Sequence, residues 1–255
     1  PDMVSLHNTV ISQSQTIAGV VSDQPDWGGA AIYHFEEAAG ATTFTDYSGQ
    51  EHHATCTSCP ALSNSGSPFG QSLTFDGSDN YLTVSIPDFD PAEAPFSFAL
   101  WFNTNNMSAR QDLIHQNGGT GQARGLLFLT QTGKIASLLG GALNAGAPSF
   151  SLNEWHHAAL TFDGTTLRLY LDGQLDVSVE VTPESATGEL RIGINGGTDN
   201  NLTGSLDELS IYESALSAEE VFALAQEDVS GVNDGEYAIE LIDFETISTT
   251  TTLDE

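Results

Sequence analysis

Residues 46–53 contain the kinds of oxygen atom that bind hard cations. The segment reads Asp-Tyr-Ser-Gly-Gln-Glu-His-His, so Asp46 supplies a carboxylate, and a bend can turn backbone carbonyls around Gly49 and His52 inward. Calcium takes about six to eight oxygen ligands, mostly carboxylates and backbone carbonyls. The segment is therefore a candidate calcium loop, the alternative being that Asp46 only caps a turn.

Two cysteines, Cys56 and Cys59, are the only ones in the sequence. Two thiolates do not make a structural zinc site by themselves, and a thioredoxin-type redox pair would open a helix after a strand. Here the neighbouring residues are rich in Ser, Gly and Pro, which indicates a loop. We therefore predict a local disulfide, formed in an oxidising compartment.

A sugar-binding site needs an exposed aromatic ring that stacks on the sugar and amide groups that bind its hydroxyls. Trp27 is the aromatic candidate, and two loops, 103–107 and 195–201, are rich in asparagine. The candidate ligand-binding residues are Trp27, Asn103, Asn105, Asn195, Asp199 and Asn200. Asn and Asp are also typical of solvated turns, and the sequence alone favours that simpler interpretation.

The sequence shows no arrangement that indicates catalysis. Glu36 and Glu37 are adjacent, so on a strand their side chains would point to opposite faces and could not act as a carboxylate pair. The same geometry prevents His52-His53 and His156-His157 from chelating a metal as pairs. A G-x-S-x-G nucleophile segment is also absent from the sequence. We therefore expect a protein that is not an enzyme.

The acidic composition restricts the possible partners. Among 255 residues, 35 are Asp or Glu and 5 are Lys or Arg, which gives a formal net charge of −30. A field of that sign repels nucleic-acid phosphates and anionic lipid surfaces, so we expect no nucleic-acid partner. The sequence has no apolar run long enough to span a bilayer as a helix, and we expect no direct membrane insertion. The charge suits solubility, high salt or contact with divalent cations.

The pattern of apolar residues predicts an all-β fold. From residue 30 onward, short apolar segments recur at intervals of roughly 8–15 residues and are separated by Gly, Asp and Asn. Asp172-Gly173 is a strong hairpin signal. One helix is expected near residue 220, because Ser217 and Glu220 have the spacing of a capping box. We predict a two-sheet antiparallel jelly-roll sandwich with one short C-terminal helix and extended terminal strands.

The chain divides into an N-terminal extension (1–29, with a possible strand), a central domain (30–226) and a C-terminal extension (227–255). Residues 237–247 predict one more strand, which is apolar on both faces. Its apolar residues are Tyr237, Ile239 and Leu241 on one face, and Ile242 and Phe244 largely on the other. Such a strand needs cover on both faces, so it could add to the sheet edge of another copy of the chain. Alternatively, both extensions pack on their own domain or lead into further modules.

Five segments, in order, resemble those of laminin-G-like jelly-roll domains in the concanavalin A-like lectin/glucanase superfamily. Examples are Phe-Ser-Phe-Ala-Leu-Trp-Phe at 96–102 and Gly-Ser-Leu-Asp-Glu-Leu-Ser-Ile-Tyr at 204–212. The remaining segments are 33–37 with 46–53, 73–82, and 155–162 with 169–173, while 215–217 follows the closing strand. The resemblance covers about residues 30–226, and the two extensions lie outside it.

The resemblance implies a structural calcium ion near the 46–53 loop. It places that loop close to the closing strand, so that Asp46 and Asp207 supply carboxylates and the backbone around Gly49 and His52 supplies carbonyls. The alternative for Asp207 is that it ends a hydrogen-bond ladder. The resemblance also supports the predicted disulfide.

The same resemblance implies that Trp155 and one of the two histidines after it belong to the core. Related glucanases carry their catalytic carboxylates about two to five residues apart on one strand, and this chain has no such run. The expected function is that of a secreted or cell-surface, calcium-stabilised, lectin-like binding or adhesion module whose partner is a glycan or cell-surface polymer. The alternative is a structural subunit of a surface layer or extracellular filament, in which copies of the chain assemble through their terminal strands.

Overall fold

The computed structural model describes residues 29–64, 66–116, 124–147, 149–195 and 200–226, which form two β-sheets and one helix. The strands are β1 (Gly29–Tyr33), β2 (Thr43–Phe44), β3 (Ala54–Thr55), β4 (Ala61–Ser63), β5 (Ser72–Asp76), β6 (Leu82–Val84), β7 (Phe96–Thr104), β8 (Gln111–Gln116), β9 (Arg124–Leu129), β10 (Ile135–Ser137), β11 (Asn144–Ala145), β12 (His156–Phe162), β13 (Thr166–Leu171), β14 (Gln174–Glu180), β15 (Leu190–Ile192) and β16 (Thr203–Tyr212). The helix, α1, is Ala218–Ala225.

The two sheets pack face to face as a sandwich. The first sheet has the order β14-β13-β12-β7-β16-β5-β4, and β1 also pairs with β16. The second sheet has the order β11-β10-β9-β8-β15-β6-β3-β2. One apolar core lies between them, in which Leu73 and Phe98 of the first sheet join Leu82 and Ile114 of the second. The predicted two-sheet antiparallel jelly roll is confirmed.

The helix covers part of the outer face of the first sheet. Ser217 is its N-cap: its hydroxyl accepts a hydrogen bond from the Glu220 amide (3.2 Å), and the Glu220 carboxylate accepts one from the Ser217 amide (2.7 Å). This confirms the predicted capping box. Val221 and Leu224 are buried in a second, smaller cluster with Tyr170 of β13 and other residues of the first sheet. The outer face of this sheet is therefore partly closed to ligands.

Two sequence signals at turns are also confirmed. Asp172 and Gly173 connect β13 to β14, with φ of 50° and 74°. Both residues thus have the left-handed conformation that a two-residue hairpin turn requires. Cys56 and Cys59 form a disulfide between β3 and β4, with their Cα atoms 5.1 Å apart.

Several sequence predictions fall outside the described residues. They concern residues 1–28, which include Trp27, the loop residue Asp199, and the C-terminal extension with Tyr237, Ile239, Leu241, Ile242 and Phe244. The predicted terminal strands and their role in assembly stay predictions. Within the described part of the chain, no helix is long and apolar enough to cross a membrane.

Candidate functional site

The 46–53 loop is organised around the carboxylate of Asp46, which is 6% exposed. Its Oδ1 accepts hydrogen bonds from the amides of Ile32 (2.9 Å) and Ser48 (2.8 Å). Its Oδ2 accepts from the Ser48 hydroxyl (2.8 Å) and the His52 amide (2.9 Å). Gly49 makes the reversal between them, with φ of 83°. The structure therefore brings three of the predicted calcium residues, Asp46, Gly49 and His52, into one loop.

Asp207 lies at the point where β16 changes partner. Residues before it pair with β5 and residues after it pair with β1, and the register of β16 with β7 shifts between Asp207 and Ser210. The Ser67 hydroxyl donates to Asp207 Oδ2, and the Glu208 amide donates to Oδ1 (2.9 Å). Glu208 has φ of 48°, as expected of a bulge. Asp207 thus fixes the bulge at which one strand serves two neighbours.

Both carboxylates of the predicted calcium site are engaged in hydrogen bonds within the protein. Each oxygen of Asp46 already accepts two hydrogen bonds, which fills its lone pairs. Burial, with Glu208 and Glu36 nearby, raises the pKa of Asp207 to about 8. In the described ranges no group of three or more His, Cys, Asp or Glu side chains is arranged to hold a metal. The predicted calcium site stays a prediction.

A pocket of about 430 Å³ opens beside the Asp46 loop. Its lining residues are Gly29, Ala30, Ser48, Gln50, His52, Pro87 and Glu213. Hydrogen bonds to the Ala30 carbonyl from the Ser48 hydroxyl (3.2 Å) and the His52 imidazole (2.8 Å) hold two of its walls together. The pocket therefore offers a hydroxyl, an amide, an imidazole and a carboxylate around the apolar ring of Pro87.

Most of this pocket has no signal in the sequence. His52 is a candidate there only for its carbonyl, whereas Gln50, Pro87 and Glu213 come from three separate parts of the chain. Nor does the sequence indicate an ion pair next to the bulge, in which His34 Nδ1 lies 2.7 Å from Glu208 Oε2. No spacing in the sequence connects such distant residues. For His34 and Glu208, the antiparallel register of β1 on β16 brings the two chain segments together.

A buried glutamine, Gln111, connects the first asparagine-rich segment to the start of β16, which follows the second. The Gln111 side chain donates to the Asn106 carbonyl and accepts from the Thr203 amide (2.7 Å). Asn200 has φ of 61°, and its carbonyl accepts from the Asp112 amide (2.9 Å). Asn103 lies on β7 opposite Ser205 of β16, whereas Asn105 follows that strand and is exposed, and Asn195 is partly buried. Asn200 thus has the turn role that was the simpler alternative.

The histidine pair of β12 is structural. The Asp172 carboxylate lies 2.9 Å from His156 Nδ1 and, against the effect of burial, raises the pKa of His156. His157 is 1% exposed, and burial lowers its pKa to about 4, so its ring is neutral. This agrees with the expectation that one of the two histidines after Trp155 belongs to the core. The prediction that Trp155 is itself in the core is wrong: Trp155 is only partly buried, because its indole N–H reaches out to the Gly66 carbonyl.

Several solved structures share this architecture. Domain 4 of AbnA, a GH43 extracellular arabinanase from Geobacillus stearothermophilus in complex with arabinotriose, is 20% identical over 78% of this chain and 98% of that one, with a TM-score of 0.60. The binding domain of Paraclostridial Mosquitocidal Protein 1 is 16% identical over 76% of this chain and 52% of that one, with a TM-score of 0.59. Trypanosoma rangeli sialidase is 16% identical over 82% of this chain and 34% of that one, with a TM-score of 0.65.

These likenesses are below 25% identity and show the fold alone. The chain spans 52% of the toxin binding domain and 34% of the sialidase, so it corresponds to only part of each. No curated protein matches the chain. The sequence profile of the laminin G family, described as the Concanavalin A-like lectin/glucanases superfamily, matches residues 76–222. Because this match covers more than half of the sequence and agrees with the two-sheet jelly roll, the chain belongs to the laminin G family of the concanavalin A-like lectin/glucanases superfamily.

Proposed function

We propose that this chain is a non-catalytic, extracellular carbohydrate-binding module, and that its ligand binds in the pocket beside the Asp46 loop. The observation that carries the proposal is the lining of that pocket. Ser48, Gln50, His52 and Glu213 present hydrogen-bond donors and acceptors of the kinds that recognise sugar hydroxyls. The ring of Pro87 offers an apolar surface for the C–H face of a sugar.

Rigidity of the pocket supports the proposal. Asp46 ties the loop to β1 and to itself through four hydrogen bonds, so the Ser48 and His52 walls are fixed before any ligand arrives. A ligand then loses less binding energy to the ordering of the site. The arabinanase domain solved with arabinotriose shows that this fold can serve carbohydrate recognition in another protein.

The absence of catalysis is part of the proposal. Glycoside cleavage generally needs two carboxylates on either side of the scissile bond. Among the described residues that line the pocket, Glu213 is the sole carboxylate. A carbohydrate held there would therefore be bound and released unchanged.

The extracellular location and the calcium prediction have different support. The Cys56–Cys59 disulfide favours an oxidising compartment. Calcium rests on the resemblance and not on the placed carboxylates, so we keep it separate from the pocket. A thermal melt with calcium and with EDTA tests the calcium prediction, and equal melting temperatures would contradict it.

The alternative of self-assembly depends on residues outside the described ranges and stays a prediction that electron microscopy can test.

A glycan array, followed by calorimetry on the glycans that bind, tests the pocket. We expect saturable binding that falls at least tenfold in both variants, Glu213→Gln and Gln50→Ala. Gln50→Ala removes an amide from the site, and Glu213→Gln replaces a charged acceptor with a neutral amide that also donates. Glu180→Gln, an exposed substitution on β14, is the matched control and should bind as the parent does. A silent array, or pocket variants that bind as tightly as the control, would contradict the proposal. Release of new reducing ends from a bound oligosaccharide would contradict its non-catalytic part.

A further inference from the structure

The outer face of the second sheet carries a row of polar side chains. The register of its strands places Thr55, Thr83, Arg191 and His115 opposite one another on β3, β6, β15 and β8. Arg191 lies between Leu190 and Ile192, which are both in the core, so Arg191 and its cross-strand neighbours point away from the core. We call these four residues the Arg191 face.

A buried charged network supports this face from one side. Asp112 is fully buried and accepts from Arg110 Nε (2.5 Å) and Nη2 (2.9 Å), and its Oδ2 lies 3.1 Å from His115 Nδ1. The Arg110 guanidinium lies 3.7 Å from the centre of the Phe128 ring. A side chain at Gly125, which β9 places opposite His115, would collide with that guanidinium. The network therefore fixes the orientation of the His115 ring.

Two buried nitrogen atoms on the face have no hydrogen-bond partner among the described residues. They are His115 Nε2 and Arg191 Nε, and His115 is only 4% exposed. Nearly all buried polar groups in proteins are paired, so each of these two requires an explanation. Since His115 Nδ1 faces a carboxylate, Nε2 is left as the acceptor in the neutral ring and as a second donor in the charged one.

The charge of Arg191 makes the missing partner more specific. The chain has 35 acidic and 5 basic residues, yet within the described part of the chain Arg191 forms no ion pair. Its guanidinium instead lies 5.2 Å from the centre of the Tyr81 ring. A guanidinium binds carboxylates through parallel hydrogen bonds, and an aromatic ring beside it can stack on a sugar.

We propose that the Arg191 face binds a carboxylate-bearing sugar residue, such as a hexuronate or a sialate. Arg191 binds the carboxylate, and Thr83 and Thr55, in line with it across the sheet, contact ring hydroxyls. The charge of Asp112 does not oppose the ligand, because Arg110 neutralises it. The net charge of the chain acts from farther away and is screened beyond about 8 Å at physiological salt. This inference rests on the proposed carbohydrate recognition but uses residues outside the pocket.

Calorimetry in 0.15 M NaCl tests the inference with two pairs of probes. One pair is a tri-galacturonate and its carboxyl-reduced neutral counterpart, and the other is sialyllactose and lactose. We expect at least one acidic probe to bind at least tenfold more tightly than its neutral partner. Arg191→Gln should abolish that preference, and Arg191→Lys should restore it only in part, because lysine keeps the charge but not the paired hydrogen bonds.

Arg168→Gln is the matched control, since Arg168 is a half-exposed arginine of the first sheet that pairs with Asp163. It removes the same charge and should leave the preference intact. Equal affinity for acidic and neutral probes, an equal loss in Arg168→Gln, or no binding of either acidic probe would overturn the inference. Failure of the pocket proposal gives a different result, because Glu213→Gln would then bind neutral glycans as tightly as the parent does. A urea unfolding midpoint equal to that of the parent confirms that Arg191→Gln is folded.

Discussion

Burial of His157 in the first sheet should make stability fall as the solution becomes acidic. The ring is 1% exposed, its Nδ1 has no hydrogen-bond partner, and it packs edge-on against Trp101 with ring centres 5.5 Å apart. Burial lowers its pKa from 6.5 to about 4, although the charge of Asp172 opposes the change. Above pH 6.5 the ring is neutral in both states, so it imposes no penalty on folding. Below that pH the unfolded chain binds a proton that the folded chain cannot accept until about pH 4.

The size of the effect follows from the two pKa values. A pKa of 6.5 in the unfolded chain and about 4 in the folded chain corresponds to a loss of ~3 kcal/mol of unfolding free energy once His157 is protonated in both states. About 2 kcal/mol of this is lost by roughly pH 5, because the unfolded state is already almost fully protonated there. The loss occurs on the acid side of neutrality and not on the alkaline side.

His157→Phe removes the titrating ring and keeps an aromatic side chain against Trp101. Between roughly pH 7.5 and 5, we expect the parent to lose about 2 kcal/mol of unfolding free energy relative to the variant. Urea titration at each pH measures this difference. Leu169→Val is the matched control: it also removes core contacts from the first sheet, but it should lower stability by a similar amount at every pH. A His157→Phe difference that stays constant to within about 0.5 kcal/mol would refute the reasoning.

Three further predictions concern the residues that hold the fold. Asp46→Ala should lower the unfolding free energy by about 3 kcal/mol or more, because buried donors lose their acceptor, and a loss below about 1 kcal/mol in urea titration would contradict this. Replacing Cys56 and Cys59 with Ser opens a loop of only four residues, so calorimetry should show a loss of at most about 2 kcal/mol. Ser217→Ala should cost about 1 kcal/mol in the same assay by removing the helix cap, and no change would mean that the capping box contributes nothing.

The fold was largely predictable from local signals. Asp172-Gly173 predicts a hairpin because a two-residue turn requires left-handed residues, and the structure has both. The Ser217–Glu220 spacing predicts a helix start for an equally local reason. These predictions succeed because the atoms that decide them lie within a few residues of each other.

The candidate sites were mostly not predictable, because they depend on register. Arg191 and His115 lie 76 positions apart in the sequence and become neighbours only when β15 pairs with β8. Glu213 reaches the pocket from the end of the closing strand, and nothing in its local sequence distinguishes it from many other acidic residues. Asp46 and His52 are in contact, as their places in one short loop suggest, and their role as calcium ligands stays a prediction.

The acidic residues that carry the family resemblance have structural roles. Asp46 binds backbone amides of its own loop and of β1, Asp172 binds the His157 amide (2.9 Å), and Asp207 binds the Glu208 amide at the bulge. Each satisfies backbone donors where strands end or change partner, and such donors occur in any chain with this topology. The family motif therefore specifies the sandwich. Under our two proposals, ligand choice falls to residues outside the acidic positions of the motif, Glu213 and Arg191, which is consistent with one fold serving unrelated partners.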